Sequence, residues 1–181
     1  MSEVRWLSAR EQRVWRSYLH ATWMLTEHVE RQLQQEAGMP HTYYEILVVL
    51  SEAPNRSLRM SELAATCHAS RSRLSHAVAR LERAGWVQRH ACEKDKRGSW
   101  ASLTETGFAV LEKAAPGHVT TVRENLFDVL TEEQVDALGE ICAAIRDGLA
   151  PTCEKAIAEE EARCAEAEAS AGEPIEATPR G

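Results

Sequence analysis

The chain has 181 residues, 44% hydrophobic and 27% charged, with 21 Lys+Arg against 28 Asp+Glu and a formal net charge of −7. That length suits one domain or a domain with arms, and the composition excludes collagen-like, fibrous and wholly disordered chains. The N-terminus has no apolar leader core, no stretch reaches the ~20 apolar residues of a membrane span, and the five cysteines lack any CxxC, so a cytoplasmic, reducing setting without a membrane partner or disulfide framework is expected.

Ser8-Ala-Arg-Glu11 fits a capping box, which predicts a long helix over residues 8–36 ended by Gly38 and Pro40. Val14, Tyr18, Ala21, Leu25 and Val29 recur along it at helical spacing, and Trp15, Leu19 and Trp23 widen that surface. So broad an apolar face predicts packing on more than one partner. Residues 42–52 read as a short, nearly all-apolar helix stopped by Ala53-Pro54-Asn55. Helices over 60–67 and 71–84 follow, joined by His68-Ala69-Ser70, with Ser70 as N-cap and Gly85 as stop. Leu63, Ala64, Leu74, Val78 and Leu81 give this pair one buried seam. Residues 86–89 read as a strand, CEKDKRG as its turn and Ser99–Leu103 as the returning strand. A strand-turn-strand directly after a helix-turn-helix describes a winged helix. Thr104 starts another helix, which Pro116-Gly117 should kink or interrupt by one turn. Thr131-Glu-Glu-Gln134 opens a last helix carrying Val135, Leu138, Ile141, Cys142, Ile145 and Leu149, bent or ended by Pro151. Beyond Ala158 the text is acidic and poor in bulky apolar residues, as a disordered tail would be. The fold class is mainly α with a small β-hairpin wing.

The net charge hides an asymmetry. Residues 1–55 carry −2, residues 56–97 carry +6, and residues 98–181 carry −11. A basic centre between acidic ends is the footprint of a nucleic-acid-facing module with solvated flanks. In the run SRSRLSHAVARLERAGW the apolar positions face inward and leave Arg71, Ser72, Arg73, Ser75, His76 and Arg80 on the other face or the leading turn. Short hydroxyls approach phosphate and Arg reaches guanine edges, which is what a helix in the major groove needs. A merely solvated helix would mix in acidic residues, yet the first is Glu82, at the helix end. Lys94, Lys96 and Arg97 on the wing turn suit phosphate contact or the minor groove. Asp95 is expected to hold a neighbouring Arg in position.

No catalytic residues are evident: the chain has no phosphate-cradling Gly loop, no HExxH and no GxSxG. No cofactor or metal is expected either. Cys67 and His68 with His90 and Cys92 lack a standard zinc spacing and read as bystanders, although a metal- or redox-sensing regulator stays open as an alternative. A winged helix that binds protein and not DNA is the other alternative, and it would call for an apolar or acidic face. Cys142, Cys153 and Cys164 recur every eleven residues, which Pro151 makes a chance spacing. His20, His28 and His118 read as surface or packed histidines.

The order of elements, with ELAATCHASRSRLSHAVARLERAGWVQR followed by EKDKRGSWASLTETG, resembles the MarR (multiple antibiotic resistance regulator) family of bacterial repressors. That family's wing has D-x-R, a strand, then L-T-x-x-G, matched here by Asp95-Lys96-Arg97, Leu103-Thr104 and Gly107. The resemblance spans roughly Ser8 to Leu149. It implies a transcriptional regulator that binds double-stranded DNA at a palindromic operator. It also implies an intertwined homodimer built from the N- and C-terminal helices. The divisions are then a dimerisation helix over 1–40, a winged helix-turn-helix over 41–104, dimerisation helices over 105–158 and the tail over 159–181. By the same resemblance Arg73 and His76 fall at base-contacting positions, Ser70, Ser72 and Ser75 at phosphates, and Arg97 at the minor groove. His76 departs from the commoner Arg. Relatives release DNA on binding anionic phenolic or other aromatic effectors in a cleft, which Trp15, Trp23, His41, Tyr43 and Tyr44 would line, with Arg123 or a His as counter-charge; the plainer reading makes these aromatics core. The peroxide-sensing Cys of some relatives has no counterpart, since no Cys precedes Cys67.

Overall fold

The computed structural model describes residues 4–91 and 99–149. The wing turn with Cys92, Lys94, Asp95, Lys96 and Arg97, and the C-terminal segment with Pro151, Cys153, Cys164 and the acidic tail, lie outside the described residues.

α1 runs Ala9–Ala37 behind the expected capping box: Ser8 Oγ accepts the Glu11 N–H at 3.2 Å, and the Glu11 carboxylate accepts the Ser8 N–H at 2.7 Å. Gly38 closes it at φ 64°, its N–H returning to the Leu33 carbonyl, and Met39 plugs the corner fully buried. α2 (His41–Glu52) lies at the centre of the core, with Ile46, Leu47 and Leu50 fully buried. A 3₁₀ turn (Pro54–Arg56) leads into β1 (Ser57–Arg59), then α3 (Met60–Thr66) and α4 (Arg71–Arg83). The predicted seam of Leu63, Ala64, Leu74, Val78 and Leu81 is buried throughout.

β2 (Val87–Ala91) and β3 (Ser99–Leu103) pair antiparallel, with Val87 opposite Leu103 and Ala91 opposite Ser99. The first strand begins one residue later than residue 86. A strand not expected from sequence also appears, for β1 pairs with the other edge of β3 and gives the order β1-β3-β2. Three residues with no apolar alternation carry too little pattern to be read in advance.

α5 (Glu105–Val122) begins at Thr104, whose Oγ1 accepts the Gly107 N–H at 3.0 Å and donates to the Gly85 carbonyl at 2.8 Å. Of the kink or interruption expected at Pro116-Gly117, the interruption is corrected: α5 runs unbroken through both. Pro116 is on the exposed side, where water can serve the carbonyl it leaves unpaired. Gly117 faces α1 so closely that a Cβ would collide with the Glu36 carboxylate and lie 2.9 Å from Gln32 Nε2. The irregularity comes later, as a π-helical turn over Arg123–Phe127. α6 covers 132–149 behind the second capping box, in which Thr131 and Gln134 exchange bonds of 3.0 and 3.3 Å. Among the described residues no helix is long and apolar enough to cross a membrane.

Thr104 and Gly107 weld the wing to α5. A Cβ at Gly107 would overlap the Trp86 carbonyl oxygen and sit 2.8 Å from Leu103 Cδ1, with rigid backbone on one side. Gly107→Ala is therefore expected to cost roughly 1–3 kcal/mol, read as a lower urea midpoint at unchanged slope. An unchanged midpoint would mean that the two segments do not approach this closely.

Candidate nucleic-acid interface

α4 owes its orientation to its buried face. Leu74, Ala77, Val78 and Leu81 point into the core, which turns Arg71, Ser72, Arg73, His76 and Arg80 to solvent. The turn before it passes through His68 at φ 48°, a left-handed conformation, and returns the Ala69 N–H to the Ala64 carbonyl at 2.9 Å. Ser70 then caps the helix, its Oγ accepting the Arg73 N–H at 3.4 Å. Among the described residues no carboxylate pairs with Arg73, His76 or Arg80. This leaves Arg73, His76 and Arg80 available to a duplex on the exposed face of α4.

The three hydroxyls differ. Ser72 is exposed, Ser70 is buried and committed to the cap, and Ser75 is half-buried with its Oγ accepting from Arg89 Nη1 at 3.4 Å. Sequence reasoning missed Arg89 and misjudged Glu82 as merely the end of the basic run. The Glu82 carboxylate takes the Arg89 backbone N–H at 3.0 Å and its Nε at 2.5 Å, joining α4 to β2. The two residues sit seven apart in different elements, so no helical spacing links them. Asp95, expected to hold an Arg, lies outside the described residues.

The aromatic residues named from sequence fall into separate groups. Trp15 stacks on Tyr18 at 6.0 Å and Trp23 on His20 at 6.3 Å, with both tryptophans exposed on α1. Tyr43 packs, half-buried, against the core, and Arg123 pairs with Asp128 at 2.7 Å on the π turn. His41 and Tyr44 do come together, and with them His118 of α5, whose ring centroid lies 4.3 Å from Tyr44 and 5.8 Å from His41. His118 Nδ1 and Gln32 Oε1 are buried there without a hydrogen-bond partner among the described residues. Burial, and then His41, push the His118 pKa down, and burial pushes Tyr44 up. The junction of α1, α2 and α5 thus holds an aromatic cluster with two unspent polar atoms, bordered by the carboxylates of Glu36, which accepts from Gln32 Nε2 at 2.7 Å, and Glu30, which accepts the His41 N–H at 2.9 Å.

Among the described residues no three His, Cys, Asp or Glu side chains form a metal-binding group. Cys67 is a poor sensor by its chemistry, since burial and then Glu45 raise its thiol to about 11, far from the thiolate that oxidants and metals require.

A sequence profile of the MarR family matches residues 37–98. The structure of Sco3205, a MarR family transcriptional regulator from Streptomyces coelicolor in complex with DNA, is 56% identical to this chain. It covers 82% of this chain and 93% of its own, at a TM-score of 0.80. AbsC, another MarR family regulator from Streptomyces coelicolor, is 41% identical at a TM-score of 0.79, over 82% of this chain and 99% of its own. The transcriptional repressor MprA of Escherichia coli K12 is 27% identical over 123 residues, 68% of this chain and 69% of its own length.

The depressed His118 pKa ties stability to pH. The unfolded chain protonates this imidazole near its ordinary pKa of about 6.5, before the folded chain does. Stability is therefore full above that pH and is lost as pH falls toward the folded value. Thermal midpoints should drop between about pH 7.5 and about pH 5.5, and His118→Gln should drop less. Parallel curves for the two proteins would show that His118 is not the buried neutral base described.

Proposed function

The chain belongs to the MarR family of transcriptional regulators, and from that premise we propose that it is a repressor that binds a palindromic operator as a homodimer through α4 and the wing. It is a regulator and not an enzyme. The observation that carries the reading is the exposed face of Arg73, His76 and Arg80, free of carboxylate partners among the described residues, on a helix whose other face is locked in the core. That Sco3205, at 56% identity, was solved with DNA supports a duplex as partner, and MprA supports repression.

In this proposal Arg73 and His76 read base edges, Arg71, Ser72 and Arg80 flank them at phosphates, Ser70 and Ser75 set the helix against the backbone, and Lys94, Lys96 and Arg97 reach the neighbouring groove, with Asp95 positioning an Arg. The dimer is supported by apolar side chains with nothing among the described residues to cover them: Val14, Trp15, Tyr18, Leu19, Ile141, Ile145 and Leu149 are all 43–62% exposed. Two copies would hold their α4 helices for half-sites about one helical turn apart.

An aromatic effector is proposed at the α1–α2–α5 junction, where His41, Tyr44 and His118 offer ring faces and Gln32 and His118 offer unspent polar atoms. Trp15, Trp23, Tyr43 and Arg123 then belong to packing, to the dimer surface or to the π turn. A ligand that favours a different lobe spacing by about 2.7 kcal/mol weakens DNA binding about 100-fold.

Fluorescence anisotropy against duplexes selected from genomic fragments tests the reading. Arg73→Ala should cost about 1–3 kcal/mol and relax preference at one base pair of each half-site. Arg97→Ala should weaken all sequences alike and flatten the salt dependence. Wild-type protein that selects no fragment, or an Arg73→Ala variant that keeps full affinity and preference, would contradict it.

A further inference from the structure

Glu82 is the single carboxylate in residues 71–91, within the basic segment proposed to bind DNA. A negative charge there works against DNA binding, so its presence calls for a reason. The structure supplies one. Both carboxylate oxygens are spent on the same residue of the wing, Oε1 on the Arg89 backbone N–H at 3.0 Å and Oε2 on Arg89 Nε at 2.5 Å. Arg89 Nη1, on the same guanidinium, donates to Ser75 Oγ at 3.4 Å, about two turns of α4 before Glu82. The Arg89 side chain therefore lies as a strap along the recognition helix, with its main chain tied at one end. Both members of the pair are about 70% covered, at 30% and 29% exposure, so this is not a solvated surface pair free to swing. Arg89 is opposite Ala101 in the β2–β3 ladder, so fixing it fixes the whole wing sheet relative to α4.

We propose that Glu82 is a positioning residue for DNA recognition: without touching the duplex, it holds Arg89 so that α4 and the wing strands β2 and β3 meet DNA as one rigid body. This rests on the reading of α4 and the wing as the DNA-binding surface. The consequence is discrimination beyond the bases under α4, because a wing at a fixed angle accepts only flanking sequence whose groove lies where the wing arrives. Ser75 contributes by accepting from Arg89, which leaves its hydroxyl proton to point outward.

The test uses the full chain and the duplexes that wild type enriches from a random-sequence pool, with versions altered either under α4 or in the flanks. Two variants change the charge differently but break the same strap. Glu82→Gln removes a negative charge and one strong acceptor, while Arg89→Lys keeps the charge and loses the fork that spans Glu82 and Ser75. Simple charge removal would make Glu82→Gln bind every duplex more tightly. The proposal predicts the opposite sign on the selected duplex: both variants bind it about tenfold more weakly, lose discrimination between flanks, and keep their preference for bases under α4. Affinity for unselected duplex should stay level or rise for Glu82→Gln. Should Glu82→Gln fail to fold, Arg89→Lys carries the same prediction. Unchanged flank discrimination in the folded variants, or tighter binding of the selected duplex by Glu82→Gln, overturns the positioning role while leaving DNA reading intact. A wild-type chain that enriches nothing overturns both.

Discussion

A helix of 29 residues cannot bury its apolar stripe where the described residues cover only one end of it. α1 packs on α5 and α2 through its C-terminal half, where Val29, Gln32 and Leu33 are buried. Val14, Trp15, Tyr18 and Leu19 continue the same stripe into solvent. α6 repeats the situation with Ile141, Ile145 and Leu149. Full burial of each such side chain stabilises by about 1.5–3 kcal/mol, so a second copy laid across these faces is a large favourable term. In the proposed dimer this same surface sets the distance between the two DNA-reading helices, and stability and specificity then depend on one interface.

The DNA-binding lobe is built so that its geometry is inherited from that frame. α2 is the hub, touching α1, α5, α3, α4 and the sheet. α4 is locked by its buried seam, its Ser70 cap and the Glu82–Arg89 tie. Thr104 and Gly107 join the wing to α5, and α5 lies on α1. The His41–Tyr44–His118 cluster occupies the joint between α2 of the lobe and α5 of the frame. In the proposed effector response, a group bound at this joint biases the spacing of the reading helices without touching them.

Much of this is legible in the sequence because it is local. The caps at Ser8, Ser70, Thr104 and Thr131 all form as bonds within three residues, and the seam of α3 and α4 follows from helical spacing alone. What the sequence does not disclose is long-range or carries too little pattern. β1 is three residues of mixed polarity that become a strand only because the edge of β3 is open to them. The survival of α5 through Pro116 depends on which side of the helix meets water, which packing on α1 decides. His118 joins His41 and Tyr44 although more than seventy residues separate them, while Trp15 and Trp23, near neighbours of one another on α1, face elsewhere. Glu82 and Arg89 look like unrelated charges until the turn at Gly85 folds β2 back along α4.

In the proposed dimer, two copies of this chain read two half-sites at a separation fixed by their terminal helices. Hydroxyl-radical footprinting of the full chain on a duplex it selects tests this most directly. Protected patches are expected on both strands, related by two-fold symmetry and about one helical turn apart from centre to centre. A single asymmetric patch, or protection with no defined spacing, would contradict it.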